Sequence, residues 1–514
     1  MARQVDDRVL AIDVGTTSVK AALLDGRADV LATGTTDQHI RSDGTGRREH
    51  DAELTWRAVR RAVERLWRAT GTAPAIRAIA VTGPRGSFAI ADVAGKARSP
   101  VLTWQDRRAA GLVAEWQAAT GSDHGAILGF QPTASAVLPK VLWLRGSRQD
   151  LFAAPWRIVT PQGDVMRRLG IRDNVIDLTT AGLVGLLDIT TQTWSETLLE
   201  RWSIPTDALP RLVPPGTIVG VLAPAAARDL ALSPGLPIVA AGSDGVCSEL
   251  GASVAAVGQI YAYLGTAGAV AGPLDSVPVS TDPALIVMSG STPDRRRLLG
   301  LMGAGGSARD WAMDLLGIRN HARFDRLVDT APPGAHGVLA QATLAGATAP
   351  EPDSRARGAL LGLSLSSDRA DVARATLEGV ALEMRAIVDA MQGSIPTPVE
   401  VALTGGGSRS ETWSRIIADV LGLPVRRIRE PNPGLRGAAQ YALAAIGRFD
   451  TALQAAIALS PSSDTFLPDA DRAGPYADAA ELYALVRRCG HHGGLDARLF
   501  QHGSDLAAAS SRDR

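Results

Sequence analysis

The chain has 514 residues, of which 46% are hydrophobic, enough for two domains that each bury a core. Lys and Arg together number 53, as do Asp and Glu, so no net charge attracts nucleic acid or an anionic membrane. The cysteines are Cys247 and Cys489 alone, which excludes a disulfide framework or a cysteine-rich metal site and indicates a reducing compartment.

The N-terminal residues lead directly into a strand, and no apolar run has the length of a membrane-spanning helix. We therefore expect a cytoplasmic protein. Along the chain, short apolar runs alternate with amphipathic stretches, which favours an α/β fold over a helical bundle or a β-sandwich.

The first predicted elements are strands followed by a helix. VLAIDV, VKAALLD and ADVLATG, separated by GTTS and DGR, predict an antiparallel meander. The segment AELTWRAVRRAVERLWRA then has helical spacing, with Leu54, Val59, Val63 and Leu66 along one face. The run IRAIAVTG returns to a strand.

Asp13 stands inside the first of these apolar strands. A buried carboxylate without a partner is unfavourable, so it needs a cation, donors or a proton. The residues after it supply the parts of an anion-binding turn: Gly15, Thr16, Thr17, Ser18 and Lys20. This combination is typical of a site for Mg²⁺ and nucleotide phosphates. The alternative is a hairpin in which Asp13 only caps the turn.

Similar but less distinct units recur after the middle of the chain. QIYAYLGTAGAVAG repeats strand, Gly-Thr turn and strand. PIVAAGSDGVCSELG and VEVALTGGGSRSETWSRIIADVLG each run from a strand through a Gly-rich turn into a helix. The repetition predicts two similarly folded domains that face a cleft.

DVGTTSVKAALLD resembles the first phosphate motif of the actin, heat-shock ATPase and sugar-kinase superfamily. Later segments resemble the FGGY carbohydrate kinases, and the xylulokinases among them, in family order over roughly residues 8–447. These segments are TGPRGSFAIADVAGKARSPVLTWQDRRA, GSDGVCSELGA, LGTAG, GAGGSARDWAMDLLG, PEPDSRARGALLGL, DVARATLEGVALEMR and LTGGGSRSETWSRIIADVLGLPV.

The resemblance implies an α/β fold of two actin-like, ribonuclease H-like domains, residues 1–252 and 253–490, with ATP and Mg²⁺ in the cleft between them. Asp13 is the expected metal ligand. The residues implied in nucleotide binding are Asp13, Gly15, Thr16, Thr17, Lys20, Gly265, Thr266, Gly305, Gly306, Gly405, Gly406 and Ser410. The alternatives are a plain hairpin at 265–266, a loop with positive φ at 305–306, and a flexible turn at 405–407. A disordered tail is expected over 491–514.

Asp244 follows the strand LPIVAAG and precedes a helix predicted to begin near Val246. Its carboxylate is therefore expected at the carboxyl end of a strand, where sites in α/β folds collect. The resemblance makes it the general base that takes the proton of the acceptor hydroxyl. The alternative is an N-cap residue. Cys247 is predicted to be a small filler rather than a nucleophile.

Acceptor contacts are implied for Arg85, Trp104, Asp106 and Asp244. Many FGGY kinases have Gln where this chain has Pro84, followed by Met-His in xylulokinases or Arg-Glu in glycerol kinases. Here the pair is Arg85 and Gly86, which counts against both glycerol and ordinary D-xylulose. Trp104 offers an apolar face to a polyol, although a core position is the alternative. Arg108 is expected on a solvated or ion-paired face.

We therefore expect ATP-dependent phosphorylation of a hydroxyl on a small sugar or polyol, a ketose or pentitol rather than glycerol. The expected partners are that acceptor and, as an assembly the sequence allows, a second copy in a homodimer, but neither nucleic acid nor a membrane. A non-catalytic nucleotide-binding switch on the same fold is the principal alternative. A polymer-forming actin-like protein is disfavoured, because no long exposed apolar insertion is evident.

Overall fold

The computed structural model describes residues 7–71, 73–120, 123–274, 276–278, 282–492 and Arg498. The last helix ends at His492, and the remainder of the predicted tail, Arg498 apart, lies outside the described residues. Within the described residues, none of the helices combines the length and apolar character needed to cross a membrane.

The strands are β1 Val9–Val14, β2 Ser18–Leu24, β3 Val30–Asp37, β4 Arg41–Ser42, β5 Arg48–His50, β6 Ala78–Gly83, β7 Ala89–Ala91, β8 Val101–Leu102, β9 Arg157–Val159, β10 Val175–Asp177, β11 Leu187–Asp188, β12 Thr193–Trp194, β13 Arg211–Val213, β14 Thr217–Val221, β15 Pro237–Ser243, β16 Gln259–Leu264, β17 Gly268–Leu274, β18 Ile286–Ser289, β19 Arg296–Met302, β20 Leu339–Gln341, β21 Ala359–Leu361, β22 Glu400–Thr404, β23 Val425–Ile428 and β24 Ser463–Phe466. The α-helices are α1 Ala52–Thr70, α2 Leu112–Thr120, α3 Asp123–Leu128, α4 Val137–Ser147, α5 Pro161–Leu169, α6 Leu178–Ala181, α7 Glu196–Trp202, α8 Pro224–Leu230, α9 Asp244–Gly251, α10 Gly306–Leu315, α11 His321–Val328, α12 Arg369–Met391, α13 Glu411–Leu421, α14 Pro433–Ala445, α15 Ala452–Ala458 and α16 Ala473–His492.

The first large sheet has the strand order β14-β15-β6-β1-β2-β3. Strands β1, β2 and β3 pair antiparallel, which confirms the predicted meander, while β6 joins β1 in parallel and β15 joins β6 in parallel. The predicted helix is α1, which is capped by Asp51 and packs against β2 and β3. Its buried face includes Trp56, Val59, Val63 and Leu66. The prediction that Leu54 lies on that face is wrong, because its side chain is 36% exposed.

The second large sheet, β18-β19-β17-β16-β22-β23-β24, repeats that pattern of pairing. Strand β16 pairs antiparallel with β17, and β17 with β19. Strands β22 and β23 then add in parallel on the other side of β16. Both halves are therefore built on the same mixed sheet, as the repeated sequence units predict.

Helices α9 and α14 make the most extensive helix contact in the molecule's described part, and both pack on the first sheet. Glu249 of α9 also pairs with Arg297 of β19 in the second sheet. Although α14 comes from the C-terminal half, it packs on β1, β6 and β15 of the first sheet. The long helix α12 lies at the centre of the second core. Apolar side chains along one face of this helix are buried: Leu377, Val380, Met384, Ile387, Val388 and Met391.

A further apolar core forms around Phe88, Trp116, Val141 and Ile158, in the segment between β6 and β14. This segment carries the loops on which the expected acceptor residues lie. The fold therefore places one set of loops over the end of the first sheet and another over the end of the second.

Candidate active site

Parallel strands in the first sheet end at one common edge. Asp13 of β1 is paired with Thr82 of β6, and Ser243 of β15 is paired with Gly83 of β6. Because side chains at the carboxyl ends of neighbouring parallel strands meet at the same edge, Asp13, Arg85 and Asp244 converge there. The register thus brings together three residues that are far apart in the sequence.

Asp13 has an unsatisfied carboxylate. Its Oδ1 is buried and accepts no hydrogen bond from any described residue, so the side chain does not cap the turn through its hydroxyl neighbours. Burial raises the pKa of Asp13 to about 7, the negative charge of Asp244 adds to the rise, and Lys20 opposes it. A carboxylate in this environment is poised to take up a cation.

The Asp13 position fits a magnesium ion. Mg²⁺ is commonly held by one or two carboxylates together with water and substrate phosphates rather than by an all-protein cage. The described residues contain no group of three or more His, Cys, Asp or Glu side chains that could hold a metal alone. The orphaned oxygen of Asp13 therefore suits a metal that arrives with a nucleotide.

The turn after β1 is tied to both halves of the molecule. Lys20 Nζ donates to Asn432 Oδ1 at the start of α14, at 3.1 Å. The indole Nε1 of Trp104 donates to Thr16 Oγ1 at 3.2 Å, while Thr17 is exposed. A side chain at Gly15 would lie 2.8 Å from the Ser18 carbonyl, so glycine is required for this tight turn.

Asp244 is the first residue of α9, two positions earlier than the predicted helix start. Ser243 is the N-cap, so the N-cap alternative for Asp244 is wrong. Among the described residues, Asp244 Oδ1 accepts a hydrogen bond only from the adjacent Gly245 amide, at 2.7 Å. Burial raises the pKa of Asp244, against the opposing charges of Arg85 and Arg297. A general base needs a pKa near the working pH, and burial moves this carboxyl in that direction.

The segments of the second half that were expected to bind phosphate and adenosine meet at the end of the second sheet. Strands β16 and β22 are parallel, with Tyr263 paired to Thr404, so the loops that follow them lie side by side. Gly405 has φ +95°, and a Cβ there would clash with the Leu264 carbonyl. Glycine is thus required for the contact between the two loops.

Gly305 and Gly306 join the same cluster, but in a different way from that expected. The Gly305 amide donates to the Thr266 carbonyl at 3.0 Å and the Gly306 amide to the Gly265 carbonyl at 2.5 Å. Those amides therefore hold the Gly265 turn and do not face an open phosphate site. Neither glycine has positive φ, and each is needed because the backbone of 265–267 approaches so closely.

Ser410, one of the predicted nucleotide contacts, has a structural role. The residue, expected at the rim of the adenosine platform, is 3% exposed, and its hydroxyl caps α13 by accepting the Trp413 amide. Gly406, in contrast, is exposed and has open space above it. Thr266 is also exposed, and its hydroxyl is available at the tip of the hairpin.

Asp106 is fully buried, and its carboxylate is occupied. It accepts the Arg48 amide at 2.9 Å and an ion pair from Arg108 at 2.7 Å, while Arg108 also pairs with Glu49 at 2.6 Å. The expectation that Asp106 binds acceptor hydroxyls is therefore corrected, since both oxygens hold the loop together. Arg108 is ion-paired, which is one of the two environments expected for it.

Two other residues expected to contact the acceptor lie near the two carboxylates: Trp104 bonds to Thr16 in the turn after Asp13, and the charge of Arg85 acts on Asp244. Trp104 is 37% exposed and so is not a core aromatic. Gly86 has φ +72°, and a side chain there would clash with the Ser135 carbonyl, which explains why no second polar group stands beside Arg85. Cys247 is buried and free, as expected of a filler, and burial raises the pKa of its thiol.

Sequence reasoning missed two cationic residues. Lys140 is fully buried and donates to the carbonyls of Gly86, Thr103 and Ser135 at 2.8, 3.1 and 3.0 Å. A lone lysine in the apolar run AVLPKVLWL was the available signal. Arg297 is 4% exposed and pairs with Glu249 on α9 at 2.7 Å. It is one of three consecutive arginines, and no local feature of the sequence indicates which of them faces α9.

Two family models match the chain, the N-terminal domain of the FGGY family of carbohydrate kinases over residues 8–251 and its C-terminal domain over 260–446. Xylulose kinase of Escherichia coli (strain K12) is 26% identical, over 92% of this chain and 97% of its own. Gluconokinase of Bacillus subtilis (strain 168) is 26% identical, over 86% and 88%. The solved xylulose kinase from Rhodospirillum rubrum is 28% identical with a TM-score of 0.87, over 94% and 99%. The chain therefore belongs to the FGGY family of carbohydrate kinases, as its motifs indicate.

Proposed function

We propose that this carbohydrate kinase transfers the terminal phosphoryl group of ATP to a hydroxyl of a small sugar or polyol, with Asp244 as the general base. The observation that carries the proposal is the strand register, which brings Asp13 and Asp244 to one edge of the first sheet. One carboxylate has an oxygen free for a metal, and the other has only one amide donor. Phosphoryl transfer needs these two functions close together.

Nucleotide binding is assigned to the loops at the ends of both sheets. Asp13 would hold Mg²⁺, and the 15–17 turn would contact phosphate oxygens through its N–H groups and hydroxyls. From the opposite half, Thr266 offers an exposed hydroxyl, and Gly405 and Gly406 form a bare surface for the adenosine. When bound, Mg²⁺ supplies charge neutralisation at the transferred phosphate.

The acceptor is assigned to the space between Trp104, Arg85 and Asp244. An exposed indole face suits the C–H side of a sugar, and a guanidinium suits its hydroxyls. The relatives act, by their names, on xylulose and gluconate at 26% identity and on glycerol at 28% identity, so they do not distinguish among these acceptors. We propose an acceptor with the chain length of a ketopentose or pentitol or one carbon longer, which excludes glycerol.

The proposed domains are residues 1–252 and 253–490, with transfer following closure of the cleft between them. Lys20 with Asn432 and Glu249 with Arg297 connect the two halves near Asp244. Closure at these contacts would remove water from the reacting groups, which suppresses ATP hydrolysis.

A coupled ADP-release assay with MgATP and a panel of ketoses, polyols and sugar acids tests the proposed function. The expected result is ADP release that depends on one class of acceptor. Tight nucleotide binding without ADP release from any acceptor would contradict it and favour a nucleotide-binding switch.

A further inference from the structure

Arg297 presents unpaired donors to the proposed acceptor site. The residue belongs to β19 in the second sheet, and its Nη2 pairs with Glu249 at 2.7 Å. Its Nε and Nη1 are buried and have no hydrogen-bond partner among the described residues. Buried guanidinium nitrogens without acceptors are unfavourable, so a ligand or ordered water has to satisfy them.

Arg85 faces the same point from the first half. A Cβ built on Gly245 would lie 3.3 Å from Arg85 Nη2 and 3.5 Å from Arg297 Nη1. The two guanidinium groups therefore converge next to Asp244. Arg85 Nη1 donates to the thioether of Met288, a weak acceptor, and Arg85 forms no ion pair within the described part of the chain.

Three carboxylates surround these guanidinium groups. Glu249 neutralises one guanidinium, and Asp244 faces Arg85. Asp177 also acts on Arg85 but is occupied by Thr179 and Thr180. Burial lowers the pKa of Arg85 to about 10, and the positive charge of Arg297 contributes to this fall. Asp244 and Glu249 each act on both guanidinium groups, yet Nε and Nη1 of Arg297 still have no hydrogen-bond acceptor among the described residues.

We propose that Arg85 and Arg297 form a carboxylate-binding site and that the acceptor is a sugar acid, such as an aldonate or ketoaldonate. This inference rests on the proposed function and narrows its acceptor. Paired guanidinium groups bind a carboxylate through parallel, charge-assisted hydrogen bonds, whereas a neutral hydroxyl gains only the weaker form of such bonds. The carboxylate takes no part in the transfer. A hydroxyl further along the acceptor would lose its proton to Asp244 and form a bond to the terminal phosphorus of ATP, and ADP would leave.

Binding at this position also couples acceptor recognition to closure. Arg85 and Glu249 come from the first half, whereas Arg297 and Met288 come from the second. A carboxylate between the arginines would link the two halves. Because Arg297 Nη1 and Nε are buried in this structure, a ligand could reach them only if the two halves separated first and then closed on it.

The test compares acceptors that differ only in the carboxylate. D-gluconate is paired with D-glucitol, D-arabinonate with D-arabinitol and D-xylonate with xylitol, with D-xylulose added, and ADP release gives kcat/KM for each. The wild-type enzyme is expected to favour one acid over its neutral partner by at least about 10-fold. Arg297→Gln should reduce that preference by about 10- to 100-fold and leave the KM for MgATP unchanged.

Two further variants separate recognition from folding. Arg295→Gln changes a neighbouring, half-buried arginine and should leave the preference intact. The double variant Glu249→Gln/Arg297→Gln avoids leaving Glu249 unpaired and should show the same loss of preference with a near-normal melting temperature.

A wild-type preference for the neutral partner, or an equal loss on both partners in Arg297→Gln, would overturn the carboxylate site while the kinase assignment stands. Absence of ADP release with every acceptor would overturn the proposed function itself, and the carboxylate site with it.

Discussion

Asp13, near the end of β1, and Asp244, directly after β15, lie on either side of β6, and the charge of Asp244 helps to raise the pKa of Asp13. Like charges placed this close oppose each other's ionisation. In the absence of ligands, the pair therefore destabilises the fold at neutral pH. A divalent cation bound with the proposed nucleotide would offset that cost.

The first prediction concerns the pH dependence of stability. Asp13 has a pKa of about 7 in the folded chain against 3.8 in the unfolded chain, so the native state binds more protons between these values. Its contribution to the free energy of unfolding therefore falls as pH rises from about 4 to 7. Asp13→Asn should remove this fall and be more stable than the wild type at pH 8 by about 2–4 kcal/mol.

Urea unfolding of both proteins at pH 5 and pH 8, without nucleotide, measures this difference. Asp229→Asn, an exposed carboxylate on α8, is the control and should follow the wild type. A wild-type protein that matches Asp13→Asn at both pH values would contradict the assigned burial of Asp13.

The second prediction uses neighbouring glycines as a matched pair. Gly405→Ala places a side chain at positive φ against the Leu264 carbonyl, so we expect a loss of about 1–3 kcal/mol and weaker nucleotide binding. Gly406→Ala meets open space at φ −63° and should keep the wild-type melting temperature. Thermal unfolding and ADP titration measure both effects, and equal stability of the two variants would refute the loop contact.

The third prediction concerns Lys140, whose ammonium group links the backbone of Gly86, Thr103 and Ser135. Lys140→Met leaves three carbonyls without this donor, and about 2–4 kcal/mol of stability should be lost. Because those loops carry Arg85 and Trp104, the KM for the acceptor should rise more than the KM for MgATP. The exposed Lys96→Met is the control. A uniform fall in kcat with both KM values unchanged would count against a positioning role.

Much of the fold follows from local sequence. Strand alternation, Gly-rich turns and capping residues predict the meander, the β16–β17 hairpin and the strand-to-helix units that contain Asp244 and Gly405. The order of these units along the chain predicts that both halves have the same fold. Leu54 shows where hydrophobic spacing fails as a predictor. It was predicted on the buried face of α1, but Trp56 and Trp67 are buried on that face and Leu54 is not.

The site residues divide in the same way. Asp13 and Asp244 could be predicted because an acid at the end of an apolar strand is conspicuous. Asp106 could not, since the Arg48 amide that occupies it comes from a distant strand. Ser410 precedes a strongly amphipathic helix, so its capping role was visible locally. Arg297 depends on which face of β19 turns toward α9, and only the tertiary structure specifies that.

The most direct test of the central claim is turnover by Asp244→Asn, with the acceptor that the wild type uses best. The carboxamide keeps the shape of the side chain but cannot take the hydroxyl proton, so kcat should fall by about 10²- to 10⁴-fold. Isothermal titration should show ADP binding within a few-fold of wild type. Wild-type turnover by this variant would contradict the assignment of Asp244 as the general base.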